Sequence, residues 1–205
     1  MTDLVLSWAR AWHGAGACSG GEAVRAALLE RYAEPQRKYH TQQHLRECLQ
    51  LFESVKQLPA HPAEVELTLW FHDAIYDLTG ADNEERSASL ARASLLEAGA
   101  GPEVASRVAG LVMATRHTAV AADADEQVVV DIDLAILGAN QERFAEYERQ
   151  IRDEYAWVPG WLFRRKRRAV LQSFLERPRI YATPHFAALF EARARANLAA
   201  ALGNR

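Results

Sequence analysis

The sequence contains only two cysteines, Cys18 and Cys48, among its 205 residues. Two cysteines cannot build the disulfide framework of a small secreted domain, and their plain interpretation is a pair of free thiols in a reducing compartment. No run of about 18 uninterrupted apolar residues exists, so no membrane-spanning helix is expected. The N-terminal stretch has no basic start before an apolar segment and makes a poor signal peptide. These absences predict a cytoplasmic protein.

A strong excess of charge is missing as well. The 24 Lys and Arg residues stand against 27 Asp and Glu residues, which leaves a formal net charge of −3. Such a chain has no general attraction to nucleic acid or anionic membranes. One local exception, the basic run 164–168, fits either an anion or nucleic-acid patch or a solvated helix face, and the acidic balance favours the solvated face. We therefore expect neither nucleic acid nor a membrane as partner.

Most segments carry apolar residues at helical spacing, which predicts an all-α protein. The segment 128–137 is ambiguous, because Val130, Ile132 and Leu134 alternate with polar residues as in a strand. We predict a helix there, since no partner strand is evident and a lone strand would leave its backbone groups unpaired. With no internal repeat and no low-complexity linker, the pattern indicates a single domain over residues 1–205.

Three short islands hold polar residues where the surrounding pattern is apolar. Together they supply imidazoles and carboxylates, the mixture of ligands that binds a borderline divalent metal. Each island is weak evidence alone, and their joint occurrence in this order is the stronger signal. The islands are YHTQQH at 39–44, WFHDAIYD at 70–77 and VVDIDL at 129–134.

The doublet His72-Asp73 directly follows the most apolar stretch of the chain. Burying an unpaired carboxylate costs several kcal/mol, so Asp73 needs a partner, and a metal would serve both residues. The alternative is that Asp73 caps a neighbouring helix while His72 packs in the core. His40 and His44 lie four residues apart, on one face of a helix, although surface histidines at this spacing also arise by chance.

The order of His44, His72-Asp73 and Asp131 resembles the HD superfamily of metal-dependent phosphohydrolases, and within it the small bacterial HD-domain hydrolases. The resemblance extends over about residues 36–174 and rests on YHTQQH, WFHDAIYD with DNEERSA following, and DIDLAILG. It implies a compact helical bundle of the HD type with the terminal helices packed on it. It also implies a metal bound by His44, His72, Asp73 and Asp131, with Asp133 as the competing choice for the last ligand.

The resemblance further implies hydrolysis of a phosphate ester, with a nucleotide as one candidate, by a hydroxide bound to the metal. The cofactor would be one divalent ion, Mn, Co, Ni, Zn, Mg or Fe, with a second ion allowed. His40 is the candidate to stabilise the phosphate or protonate the leaving group. Asp77 would orient the water or a ligand histidine. His117 would contact phosphate or a second metal, unless it only places an imidazole at a helix C-terminus.

Other residues are candidates for the substrate or for a partner. Arg37 and Lys38 could contact phosphate oxygens, and Glu84, with Glu85, could join the site or simply form an acidic first helical turn. The expected partner is a small phosphorylated substrate, and Trp157 with Trp161 suggests a homodimer contact. Two rival functions stay open: an HD-type di-iron oxygenase, and a non-enzymatic binding module that contains a metal.

Overall fold

The structure is a computed structural model and describes residues 3–118 and 121–203. Within these stretches every regular element is helical, which confirms the all-α class. The predicted start of the first helix at Thr2 lies outside the described residues. The elements are α1 (Leu4–Gly14), α2 (Gly21–Arg31), α3 (Gln42–Val55), α4 (Pro62–Phe71), α5 (Asn83–Glu97), α6 (Pro102–Ala114), α7 (Ala124–Asp133), a 3-10 helix (Leu134–Gly138), α8 (Gln141–Glu154), α9 (Gly160–Leu175) and α10 (Pro184–Gly203).

The chain divides into two compact units, Met1–Val130 and Asp131–Arg205. A single domain over the whole chain stays a prediction. Among the described residues, no helix combines the length and the apolar character needed to cross a bilayer.

Helix α4 forms the centre of the first unit, where α1, α3, α5 and α6 contact it. Every residue of α4 from Glu64 to Phe71 is buried. The two buried carboxylates are compensated by arginines from neighbouring helices. Arg107 donates to Glu64 at 2.6 and 2.8 Å, and Arg10 donates to Glu66 at 2.5 and 2.9 Å. Because each buried acid has its cation, α4 is fixed on all sides and presents its C-terminal residues at a defined place.

The C-terminus of α4 comes earlier than the sequence pattern predicts. Apolar spacing favours a helix over 63–76, but α4 ends at Phe71 and a turn follows, with the Ala74 N–H donating to the Phe71 carbonyl at 2.9 Å. The buried guanidinium of Arg37 donates to the carbonyls of Asp73 at 2.5 Å and Ala74 at 3.0 Å. These carbonyls are thereby satisfied without a further helical turn, so the chain can leave the helix directly after His72.

In the second unit, α10 contacts the 3-10 helix and α9. The helix predicted over 128–137 is confirmed, with its last turn as the 3-10 helix Leu134–Gly138. A Cβ on Gly138 would lie 2.6 Å from the Cβ of Phe190 and 2.9 Å from its carbonyl oxygen. The close approach of α10 therefore requires glycine at the end of the DIDLAILG motif.

Candidate metal centre

Two helix ends place the histidines of the first two motifs in the core of the first unit. Thr41 caps α3 by accepting a hydrogen bond from the Gln43 N–H at 3.2 Å, which makes His44 the third residue of that helix. His72 is the C-cap of α4, and Asp73 follows in the turn. His44 and His72 are each only 2% exposed. Both imidazoles therefore need polar partners inside the protein.

Three donor atoms of these residues converge. The Nε2 atoms of His44 and His72 lie 3.0 Å apart, and Asp73 Oδ2 lies 3.1 Å from His72 Nε2 and 3.4 Å from His44 Nε2. Two ligands bonded to one ion at about 2.1 Å are about 3.0 Å apart at a right angle and about 3.4 Å apart at a tetrahedral angle. The separations between His44, His72 and Asp73 therefore fit ligands of one shared cation.

The protonation of His72 supports the same interpretation. Its Nδ1 lies 2.9 Å from the Leu69 carbonyl, and because a carbonyl only accepts, Nδ1 must donate. In the neutral ring, Nε2 then carries a lone pair that points toward the Asp73 carboxylate. Two acceptors 3.1 Å apart repel each other unless a positive charge lies between them, either a proton or a metal ion. A backbone carbonyl that orients a histidine in this way is also typical of metal ligands.

Cys48 adds a sulfur atom to this group. It lies one turn after His44 on α3, is buried, and has its Sγ 3.7 Å from His44 Nδ1 and 3.7 Å from His44 Nε2. The buried group His44, Cys48 and His72 could hold a metal ion. The equal distances to the two ring nitrogens also fit simple packing of the buried thiol against the imidazole.

The groups around Asp73 strongly shift the pKa of its carboxylate. Burial raises its pKa, but electrostatic interaction with His72 and His40 and hydrogen bonding with the imidazoles of His44 and His72 outweigh burial, so the pKa lies well below the ordinary 3.8. The carboxylate is therefore ionised at neutral pH. Its side chain is 18% exposed, more than either imidazole, so solvent reaches the centre at this carboxylate.

Aromatic rings surround His40 and His44. The His40 ring stacks on Tyr76 with centroids 4.0 Å apart, and its centroid is 6.0 Å from that of His44. Tyr39 contacts both imidazoles at 4.7 to 4.8 Å between centroids. His40 is half-buried, so its imidazole is placed at the edge of the centre, one turn from a candidate ligand.

The structure gives Arg37 a role that the sequence did not predict. The phosphate contact suggested by the sequence pattern stays a prediction; the side chain is buried and donates to Glu34 at 3.1 Å and to the carbonyls of His40, Asp73 and Ala74. Arg37 thereby joins the turn before α3 to the turn after α4, and so it positions the two segments that carry the donor atoms. Lys38 is exposed and donates to the Pro35 carbonyl at 2.7 Å.

Asp77 organises the loop that follows the second motif. Its Oδ1 accepts from the Thr79 N–H at 2.9 Å and from the Thr79 hydroxyl at 2.8 Å, and the same bonds lower its pKa below the ordinary value. Asn83, the first residue of α5, accepts from the Asp77 N–H at 2.9 Å. Glu84 lies in the acidic first turn of α5 and is half-buried. Roles of Asp77 and Glu84 in catalysis or substrate binding stay predictions.

His117 lies beyond the C-terminus of α6, as its sequence position indicated. Its φ of 56° is the one positive φ outside glycine among the described residues. This backbone conformation is strained for an imidazole side chain, and such strain often marks a functional position. The role of His117 stays a prediction.

Asp131 belongs to the second unit, where its carboxylate joins α7 to the start of α10. It accepts from the N–H groups of Ala182 at 2.8 Å and Thr183 at 2.7 Å, and from the Thr183 hydroxyl at 2.7 Å. Both carboxylate oxygens are thus engaged inside this unit. Asp133 is the last residue of α7 and is half-buried. The choice between Asp131 and Asp133 as a metal ligand stays a prediction.

Comparisons of the chain with family models, with curated proteins and with solved structures give no match.

Sequence reasoning identified His44, His72 and Asp73, which the structure brings together. Cys48 joins the same buried group, and its spacing of four residues from His44 is the sequence signal for it. Sequence reasoning could not identify the Leu69 carbonyl that orients His72, because backbone groups leave no trace in the residue pattern.

Proposed function

We propose that this chain is a metal-dependent hydrolase that acts on a phosphate ester, with nucleotides as the first substrates to examine. The observation that carries the proposal is the convergence of His44 Nε2, His72 Nε2 and Asp73 Oδ2 within 3.0 to 3.4 Å. Two imidazoles and a carboxylate match the ligands of borderline divalent metals, and the resemblance to the HD superfamily supplies the reaction class. A bound ion would lower the pKa of a coordinated water and offset charge on a phosphoryl oxygen.

The protein's own residues fit the rest of the reaction. His40 is held by Tyr76 at the edge of the centre, where an imidazole could donate a proton to a leaving oxygen. The partial exposure of Asp73 leaves a side of the centre open to a substrate, as a catalytic site needs. Arg37 and the Leu69 carbonyl would hold Asp73 and His72 in place during turnover.

Metal analysis of the purified protein, followed by an activity screen, tests the proposal. We expect about one bound ion per chain. With added Mn, Co, Ni, Zn or Mg, we expect turnover of a phosphomonoester, a nucleotide or a sugar phosphate. His40→Ala should keep the metal and lose turnover, whereas His13→Ala, which changes an exposed histidine of α1, should keep both. Two irons per chain would instead favour the di-iron oxygenase.

A second candidate function rests on Cys48. A buried set of two imidazoles and a thiolate resembles a structural zinc site, which would favour a non-enzymatic metal-containing module. Cys48→Ala separates the two candidates. The hydrolase proposal expects the variant to keep its metal and its turnover. Loss of the metal from a folded Cys48→Ala protein, together with no turnover of any substrate by the wild type, would support the structural module.

A further inference from the structure

The two units of the chain have net charges of opposite sign, which partly cancel in the net charge of the whole chain. The first unit carries 11 Lys and Arg against 18 Asp and Glu, whereas the second carries 13 Lys and Arg against nine Asp and Glu. The second unit is therefore basic, and its attraction to anions must be judged by its own charge. At physiological salt, charges act over only about 8 Å, so the local charge of a surface matters more than the net charge of the whole chain.

The basic run 164–168 is divided between two roles. Arg167 is used inside the protein, where it donates to Glu148 at 2.6 and 3.0 Å and lies over the ring of Tyr147. The other four basic side chains are exposed. Among the described residues, no ion pair involves Arg164 or Arg165, and Arg168 donates to the carbonyl of Leu202 at 3.1 Å. Solvent-facing guanidinium groups therefore remain available on α9.

The spacing of these residues places an aromatic ring beside the guanidinium groups. Positions 161, 164, 165 and 168 follow the i, i+3, i+4, i+7 pattern and lie on one side of α9. Trp161 is 63% exposed, and Trp157, in the turn before α9, is 60% exposed. We call the surface formed by Trp161, Arg164, Arg165 and Arg168 the α9 face.

We propose that the α9 face binds single-stranded nucleic acid. Guanidinium groups donate paired hydrogen bonds to phosphate oxygens, and an exposed indole offers a flat surface on which an unpaired base can stack. Proteins that bind a single strand without reading its sequence combine a positively charged surface with aromatic side chains on which bases stack. The sequence alone favoured a solvated face because the whole chain is acidic. The charge of the second unit and the position of Trp161 now favour an anion-binding surface.

The composition of the α9 face argues against a membrane as its partner. A helix that lies in a bilayer interface buries a broad apolar stripe, but Trp161 is the only apolar side chain of this face. Three of its four side chains are arginines, which stack and bind phosphate bidentately better than lysines do. The proposal is independent of the metal centre, so its test can be made with a chelator present.

Fluorescence anisotropy of the full chain with labelled oligothymidylate and oligouridylate tests the proposal. Oligonucleotides of about 20 nucleotides are longer than the roughly 4–16 nucleotides that one OB fold, a common single-strand binding domain, covers. We expect binding that weakens between about 50 and 200 mM salt and that quenches tryptophan fluorescence. Arg164→Glu with Arg165→Glu should weaken binding at least about tenfold, and Trp161→Ala at least about fivefold with loss of most of the quenching.

Lys166→Glu is the matched control, because Lys166 is an exposed cation of the same helix that points away from the α9 face. It should change affinity by less than about threefold. Inorganic polyphosphate tests the stacking contribution, since it has the charge but no bases, and should bind without quenching. Failure of both oligonucleotides to bind at low salt, equal effects of the control and the double variant, or binding to phosphatidylserine vesicles alone would each overturn the proposal.

Discussion

The carboxylate of Asp73, in the first unit, faces two imidazole nitrogens, whereas the carboxylate of Asp131, in the second unit, accepts three hydrogen bonds from peptide and hydroxyl groups. Both aspartates follow strongly apolar segments, so the negative charge of each carboxylate needs a compensating partner inside the protein. Asp73 is compensated by groups that can carry positive charge or share a cation. Asp131 is compensated by neutral donors at the N-terminus of α10, where the helix dipole also favours a negative charge.

The two surroundings move the two pKa values in opposite directions. At Asp73 the interactions with the histidines outweigh burial and lower the pKa well below 3.8. At Asp131 burial dominates and raises the pKa, although the hydrogen bonds from Thr183 and Ala182 oppose the rise. An aspartate after an apolar stretch can therefore bind a cation or accept hydrogen bonds at the start of a helix. The groups that contact its carboxylate distinguish these two roles.

The largest expected effect is on metal content. His72→Ala and Asp73→Ala each remove a donor atom of the candidate centre, so the purified variants should contain almost no metal where the wild type contains about one ion per chain. Elemental analysis after dialysis measures this content. His13→Ala serves as the control and should match the wild type. Normal metal content in both folded variants would end the assignment of this centre.

Asp131→Ala should lower the free energy of unfolding by about 3 to 5 kcal/mol, because three donors lose their acceptor inside the protein. Urea denaturation measures the loss. The matched control is Asp153→Ala, which removes an exposed carboxylate of α8 and should change stability by less than about 0.5 kcal/mol.

The metal content of Asp131→Asn decides whether Asp131 has a second role. If Asp131 serves only to hold the start of α10, this closer mimic keeps its metal. A folded Asp131→Asn protein without metal would show that Asp131 is the ligand implied by the HD resemblance, and the contrast with Asp73 would then disappear.

Arg37→Lys should destabilise the first unit by about 2 kcal/mol, since the single nitrogen of a lysine cannot reproduce the fork of three guanidinium nitrogens that reaches Glu34 and the carbonyls of His40, Asp73 and Ala74. We also expect weaker metal affinity, because the turn that carries Asp73 loses its anchor. Isothermal calorimetry and urea denaturation measure the two effects. Arg92→Lys, at an exposed position of α5, is the control. If only the Michaelis constant for substrate changed, Arg37 would be the phosphate contact that the sequence suggested.

The smallest expected effect is a pair of pH dependences with opposite signs. Because the folded pKa of Asp73 is lowered, its contribution to stability is present above pH 3.8 and is lost as the pH falls through the folded pKa. Because the folded pKa of Asp131 is raised, its contribution is complete below pH 3.8 and declines as the pH rises through the folded pKa.

Denaturation of the chelator-treated protein from about pH 3 to 6 measures both contributions as differences from Asp73→Asn and Asp131→Asn, each of order 1 kcal/mol. The difference for Asp73 should shrink toward low pH, and that for Asp131 should shrink toward high pH. If both stability differences changed in the same direction with pH, the contrast between the two carboxylates would be contradicted.

Local sequence signals predicted most of the fold. Thr41, Asn140 and Thr183 are residue types that favour the N-cap position, and each side chain accepts a hydrogen bond from the first turn of its helix. The end of α4 was predicted wrongly, because the guanidinium that replaces its next turn comes from Arg37, far away in sequence. Caps depend on neighbours along the chain and can be predicted, whereas long-range hydrogen bonds cannot.

The sequence by itself determined the helical class, the helix starts and the set of histidines and aspartates from which a metal centre can be built. Only the tertiary structure decided which of them share a location: His44, His72 and Asp73 converge, Arg37 positions them, and Asp131 holds the start of α10. The physical reason is that residue type specifies what a side chain can bond, while the packing of helices distant in sequence determines which bonding groups come within reach.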